Sequence, residues 1–555
     1  MAITTRTPAM HSALPNPAPA RVHAGMPFLF AGLLMGAIVL GMVASQSLIV
    51  LVAGGILAAW AAARILIEPY LGLTVLMAML PLNTWVGLIP ASNLVAPAIG
   101  ALTVGGFVIR QLGRRGHGFR IELTKLHLLM FVFTGWVVFS TPSAALSRDG
   151  EGTLWALSFA QFAMLLWLGR QLLRTPRQMH TLMIVVSATS VFSALFGLYD
   201  VIVLGKPYAS GLVGNNNLAG NYFLLAMVLL VHLYTVVQGM RVRDRIVRLL
   251  ILGGIVVLVT GTILTVSRAG IVQIALISPV LVYMIAKAPK AADAEDGSDT
   301  VPIGPTTAGA ALRADRMAMR ERMRSMSRAV VRVLALLVVV GVAVLIIVPP
   351  ETIDRLTSRF RTTEELLTNN TAVSTEIDTL DTRFRLWTAG LHMLADYPLQ
   401  GVGVGEFPAE LRYYGQFVGL PVGALNLGAH NMYVQLAAET GLVGFSMFML
   451  LIGLTLVHLN RLRRHSNPFV GAIALAWLAC FILLLIRGLT THFYSEKFIW
   501  FIMGVSQWLP VLGAQAVQAA APSAGVMRAR RSSAQAVPAP VVVPAAFHAD
   551  PQNQP

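Results

Sequence analysis

Apolar runs of about 20 residues, the length that crosses a bilayer as a helix, recur along almost the whole chain. They fall at 26–45, 47–67, 70–89, 93–110, 126–142, 153–169, 179–204, 218–238, 247–266, 269–286, 329–348, 440–458, 468–486 and 498–514. The first four are closely spaced and carry Gly and Pro, so one or two of them read as re-entrant or merged. The pattern predicts an all-α polytopic membrane protein with about 12–14 transmembrane helices. The first 25 residues are polar and Pro-rich, longer than the leading region of a signal peptide, and the first span reads as an uncleaved helix.

The polar stretches between the runs divide the chain. Residues 1–25 form an N-terminal tail, 26–348 a transmembrane bundle that includes a basic linker at 287–328, 349–439 one large polar loop domain, and 440–514 the C-terminal spans. Residues 290–312 and the Ala-, Pro- and Val-rich segment 515–555 read as disordered linker and tail. The loop domain holds 11 acidic and 6 basic residues, and its apolar positions Leu386, Trp387, Leu391, Met393 and Leu394 predict amphipathic helices lying on the membrane.

Charge adds an orientation. The basic clusters at Arg110–Lys125, at Arg170, Arg174 and Arg177, at Arg241–Arg248, across 287–328 and at Arg461–Arg464 occupy alternate loops. By the positive-inside rule these loops and both termini are cytoplasmic, and 143–152, 205–217, 267–268, 349–439 and 487–497 face outward. Only 12% of the residues are charged, against about 25% in a soluble domain. The net charge of +16 is therefore a topology signal, and nucleic-acid binding is excluded as a function class. The single cysteine, Cys480, sits in an apolar run and reads as a small buried hydrophobe, with no partner for a disulfide.

Candidate chemistry collects at the outer face. In "LTVSRAGIV" (264–272), Arg268 lies at a turn of nearly zero length between two spans. There it either snorkels to headgroups or contacts the phosphate of a lipid-linked substrate. In "LDTRFRLWTAGLHMLADYPLQGVGVGEF" (380–407), Arg383 and Trp387 are four apart and share a helix face. Asp378 and Asp381 offer Arg383 a surface ion pair instead. The glycines 401, 403 and 405 resemble a phosphate loop only superficially, because no βαβ pattern surrounds them; they read as a tight turn or a close approach to another element. "GAHNMYVQLAAETGLVG" (428–444) places His430 just ahead of a span, where a neutral imidazole either packs or serves as a general base. Asn431 orients that ring or caps the helix, and Glu439 reads as a helix-to-helix junction. In "GLVGNNNLAGNY" (211–222), Asn215 to Asn217 cap a helix or bind sugar hydroxyls. Arg487 and His492 in the last outer loop are further polar candidates without a pattern. No second ligand stands at metal spacing from His430, so no metal and no cofactor is expected.

Taken in order, "GNNNLAGNY", "SRAG", "RFRLW…DYPLQGVGVGEF" and "HNMYVQLAAETGLVG" resemble the O-antigen ligase and O-antigen polymerase-related family of bacterial envelope glycan enzymes. The resemblance covers roughly 205–275 and 380–445. It implies a GT-C-type fold in the inner membrane, with 349–439 periplasmic. The implied donor is a glycan on undecaprenyl diphosphate, and the implied acceptor is lipid A–core or a growing glycan. The family's two arginines and one histidine fall on Arg268, Arg383 and His430, implying a base and two guanidiniums in an inverting, metal-independent transfer. Arg385, Asn431, Asn215, Asn217 and Trp387 are the candidate substrate-binding residues beside them. The alternatives are a polymerase of O-antigen, capsule or exopolysaccharide repeat units, and a transporter of lipid-linked glycans. A transporter places its charged or broken helices near the bilayer midplane, whereas here the polar residues gather at the outer edge.

Overall fold

The computed structural model describes residues 48–83, 92–113, 122–141, 151–237, 242–287, 308–348, 350, 351, 353, 354, 380–465, 467–491, 494 and 496–520. It is 84% helical, with no strand among these residues. Fifteen α-helices are described: α1 (Leu48–Ile67), α2 (Pro69–Met79), α3 (Ser92–Leu112), α4 (Lys125–Ser140), α5 (Glu151–Leu172), α6 (Pro176–Ile202), α7 (Asn216–Val236), α8 (Val242–Leu264), α9 (Arg268–Ala286), α10 (Ala308–Ile347), α11 (Leu380–Asp396), α12 (Phe407–Phe417), α13 (Met432–Leu462), α14 (Pro468–Gly488) and α15 (Lys497–Ala520). Eight of them hold a stretch long and apolar enough to cross a membrane, and three shorter apolar helical stretches accompany these. The chain is thus an all-α polytopic membrane protein. The expected span at 26–45 lies outside the described residues, as do most of the two expected disordered segments. Of those segments, 308–312 and 515–520 are helical, since α10 and α15 run through them.

Hydropathy explains which helices are inside. The sequence of α7 is apolar on every side, so no stripe distinguishes a core face from a lipid face. Accordingly 89% of its spanning window is buried, and it packs against α6, α8, α9 and α14. By contrast only 28% of the α9 window is buried, and Val272 and Leu276 on that helix are exposed. Lipid satisfies such side chains as well as protein does, so apolar character does not choose between the two. Cys480 is fully buried on α14, as its apolar surroundings predict.

An aromatic cluster joins α4, α5, α13 and α15. Trp500 stacks on Phe162 with ring centroids 5.5 Å apart and meets Phe448 edge-on at 5.5 Å. Its indole N–H donates to the carbonyl of Tyr494 at 2.8 Å, which fixes the segment before α15.

Between α10 and α13, the described part of the loop domain has a small apolar core of its own. Leu386, Met393, Phe407, Leu411 and Ala438 are among its buried members. α11 and α12 pack together, and both rest against α13. That arrangement delivers the loop-domain motifs to the end of the bundle where α7, α9 and α13 begin and α8 and α14 end.

Candidate functional site

The kink in α13 is the first fixed point. Gly441 has φ 65° and ψ −177°, a conformation essentially reserved for glycine, and it breaks α13 near the position where hydropathy starts the span. The loop 398–403 is strapped across the break. Leu442 N–H donates to the Pro398 carbonyl at 2.8 Å, Val402 N–H to Ala438 at 2.9 Å, and Gly403 N–H to Glu439 at 3.0 Å. A Cβ on Gly441 would run into the Leu399 carbonyl, and one on Gly401 into the backbone of Glu439. The glycine-rich stretch therefore serves close approach, as its sequence context indicates.

What this loop encloses is a carboxylate. Glu439 is fully buried, accepting from Gln435 Nε2 at 3.0 Å and from the Tyr494 hydroxyl at 2.7 Å. The backbone amides of Gly405 and Phe407 also donate to it. The expected helix-junction residue is thus the centre of a polar network that fastens the loop domain to α13 and to the segment before α15.

The network continues to His430. Gln435 Oε1 accepts from Ala429 N–H at 3.0 Å, and Trp387 Nε1 donates to the Ala429 carbonyl at 2.9 Å. Both backbone polar groups of the residue before His430 are thereby held. His430 itself has φ 49°, in a region that non-glycine residues rarely occupy. Asn431 follows as the N-cap of α13, its side chain accepting from Tyr433 N–H at 2.9 Å and Val434 N–H at 3.2 Å. Its cap role accounts for that contact, and no ring-orienting contact is needed to explain it.

Among the described residues, the other non-glycine residue with positive φ is Val266, at 55°. It forms the turn between α8 and α9 and puts Arg268 at the first position of α9. The turn is as short as the sequence implied. Both strained backbones therefore flank the two motifs that carry His430 and Arg268, and strain of this kind gathers where geometry is held for a purpose.

The three asparagines at the start of α7 do different work. Asn215 caps α7 by accepting from Leu218 N–H at 3.1 Å. Asn216 Nδ2 donates to the Thr265 carbonyl at 3.0 Å, tying α7 to the Val266 turn. Asn217 meets the residue that sequence reasoning left without a pattern, Arg487.

Arg487 stands in the last turn of α14, fully buried, where a loop was expected. Its Nη1 donates to Ser267 Oγ at 3.0 Å, and its Nη2 to both the backbone and side-chain oxygens of Asn217 at 2.9 Å. Ser267 Oγ donates in turn to Asn217 Oδ1 at 3.1 Å. Arg383, in the first turn of α11, lies within coulombic reach of Arg487. Met432, two residues after His430, packs on Gly488, and the Tyr433 hydroxyl donates to the Leu485 carbonyl at 2.9 Å. The Arg268 turn, the Arg383 helix and the His430 turn thus converge around Arg487. A signal for Arg487 was present, since an arginine at the end of an apolar run is costly unless it has a role. His492 lies outside the described residues.

Arg385 is placed differently from Arg383. Its Nε pairs with Asp381 Oδ2 at 2.7 Å, while Nη1 donates to the carbonyls of Val418 at 3.1 Å and Gly419 at 2.9 Å. These bonds brace the turn after α12 against α11.

The electrostatics favour an anion. The hydrogen bonds of Arg487 go to a hydroxyl, an amide oxygen and a carbonyl, and its buried Nε has no partner. A buried guanidinium among dipoles, facing a second guanidinium, carries a desolvation cost that a bound anion offsets. No group of three or more His, Cys, Asp or Glu among the described residues is arranged to hold a metal ion.

The architecture is that of a polytopic membrane protein whose basic site lies at one end of its helix bundle. Residues 253–449 match the family described as O-antigen ligase, and over that stretch the chain is related to this family. The match contains Arg268, Arg383, His430 and Glu439 and stops short of Arg487. No curated protein matches the chain. Together with the spanning helices, the family match supports a membrane enzyme of O-antigen or related glycan assembly.

Proposed function

We propose that the protein is an inverting glycosyltransferase of the O-antigen ligase type. It moves a glycan from undecaprenyl diphosphate to an acceptor hydroxyl on the periplasmic face of the inner membrane. The observation that carries this reading is the convergence of the turn before Arg268, the helix that bears Arg383 and the segment after His430 around the buried Arg487. It is joined by the family match over 253–449.

In the proposed step the acceptor oxygen attacks the anomeric carbon while His430 takes its proton. The bond from that carbon to the donor phosphate breaks, and its electron pair leaves with the lipid diphosphate. Arg268 and Arg383 face the growing negative charge, and guanidinium forks suit phosphate oxygens. Arg487 adds a third positive group behind them and holds the α8–α9 turn in place. The N-terminus of α9 contributes its positive dipole end at the same point. Attack and departure on opposite faces of one carbon invert its configuration, and this set of groups performs the transfer without a metal. In this reading 349–439 is the periplasmic domain that closes over a GT-C-type bundle, and lipid A–core is the acceptor.

The test is transfer by the full chain reconstituted in vesicles with a polyprenyl-diphosphate-linked glycan. His430→Ala is expected to lower kcat by about 100-fold or more, as loss of a general base does. Full activity in that variant removes the assignment. Products extended on the donor lipid, with none on lipid A–core, would mark a polymerase.

A further inference from the structure

The opposite end of the same helices carries a second basic site. A cavity of about 190 Å³ opens there, lined by His232, Thr235, Tyr283, Lys287, Arg463 and His465 together with apolar side chains. His232 and Thr235 come from the last turns of α7, Tyr283 and Lys287 from the end of α9, and Arg463 and His465 from just beyond α13. Pro468, at the first turn of α14, completes the wall. These four helices begin or end at the candidate catalytic site with Asn216, Arg268, Met432 and Gly488, so the cavity lies a full span away. All four contain apolar stretches long enough to span a membrane, which puts the cavity at the level of the opposite headgroups.

Among the described residues no carboxylate lines the cavity, while an ammonium, a guanidinium and two imidazoles do. His232 is 1% exposed, and its Nε2 is buried with no hydrogen-bond partner. Buried ring nitrogens are ordinarily satisfied, so this histidine makes the cavity wall more polar than its neighbours alone would. The Lys287 ammonium lies 5.4 Å from the centre of the Tyr283 ring, and Arg463 Nε is anchored to Asn460 Oδ1 at 2.6 Å. Anchoring of this kind holds the cationic heads at the cavity mouth.

We propose that this cavity binds the phosphodiester headgroup of an anionic phospholipid. The phosphate oxygens accept from Lys287 and Arg463, and the acyl chains run along the lipid-exposed faces of α9. Basic pockets between spanning helices select anionic headgroups in this way. A soluble phosphate ester offers the same oxygens, and acyl dependence separates the two sources.

The test uses the full chain, delipidated in detergent and mixed with equal amounts of phosphatidylglycerol and phosphatidylcholine, with retained lipid read by native mass spectrometry. Selective retention of phosphatidylglycerol is expected, weakened roughly tenfold by Lys287→Gln combined with Arg463→Gln. The charge-preserving pair Lys287→Arg and Arg463→Lys is expected to keep the preference, which guards against a folding artefact. Arg461→Gln, at an exposed position outside the cavity, is expected to change retention less than about twofold, since a surface charge there is screened. Displacement of the lipid by inorganic phosphate or glycerol phosphate would assign the cavity to a soluble phosphate and overturn the lipid proposal. Equal retention of both lipids, or an equal loss in Arg461→Gln, would also overturn it.

Discussion

At the scale of single residues, the histidine ahead of α13 shows how much a motif depends on its supports. His430, in a rare backbone conformation, follows a residue whose carbonyl and N–H are held by Trp387 and Gln435. Trp387→Phe retains the ring and deletes the indole donor, a loss of about 1 kcal/mol for one hydrogen bond. It is expected to lower kcat several-fold with little change in the donor KM, and steady-state kinetics in vesicles will separate the two. Arg487→Lys retains the charge but cannot reach Ser267 and Asn217 together with a fork. We expect it to reduce kcat/KM by roughly 10- to 100-fold, in line with the loss of a preorganised donor. An unchanged value would confine Arg487 to packing. Sequence reasoning singles out His430, Arg268 and Arg383 through the resemblance, and groups Arg385 and Trp387 with them as candidate substrate contacts. The bonds that Arg385 and Trp387 make within the protein brace the turn after α12 and the peptide before His430.

At the scale of elements, hydropathy located most helices to within a few residues, and the exceptions have physical causes. α13 begins at Met432, ahead of the expected start at 440, because its first turns carry Gln435, Glu439 and Thr440 and dilute the apolar signal. The kink at Gly441 separates that polar, network-bearing part from the apolar remainder. Gly441→Ala puts a side chain on a backbone that only glycine tolerates and drives it into the Leu399 carbonyl. We expect a loss of roughly 3 kcal/mol or more, a large effect for one methyl group. Thermal unfolding of the detergent-solubilised chain, followed by size-exclusion chromatography, will measure it. A near-native melting temperature would show that the strap of 398–403 yields easily. The basic segment 287–328 reads as linker by composition, yet from Ala308 onward it is part of α10, because its Met, Ala, Arg and Glu residues are good helix formers.

At the scale of the whole molecule, one site draws on elements from three regions of the chain. α7, α8 and α9 supply the asparagines and the short turn, α11 and α13 supply Arg383 and His430, and α14 supplies Arg487. A ligand bound there joins these regions, so it stabilises the assembled bundle by mass action. Inorganic pyrophosphate at about 100 times its dissociation constant is expected to add about 2.7 kcal/mol and to raise the melting temperature of the full chain. Arg487→Gln is expected to abolish the shift, and no shift in the native chain would count against a diphosphate site.

The sequence by itself determined that the chain is a helical membrane protein. It also supplied the order of the motifs and the identity of the residues able to move a proton or meet a phosphate. These are local properties: a spanning helix is written in about 20 consecutive residues, and a titratable side chain is visible wherever it stands. Only the tertiary structure decided that Arg487 and Asn217, 270 positions apart, share two hydrogen bonds. It alone brought the glycines of 401–405 onto Glu439 and gathered Lys287 and Arg463 at the opposite end. In lipid every apolar face is equally content, so hydropathy does not choose which helices meet. Close packing and the few hydrogen bonds between helices make that choice, and both exist only once the bundle is assembled.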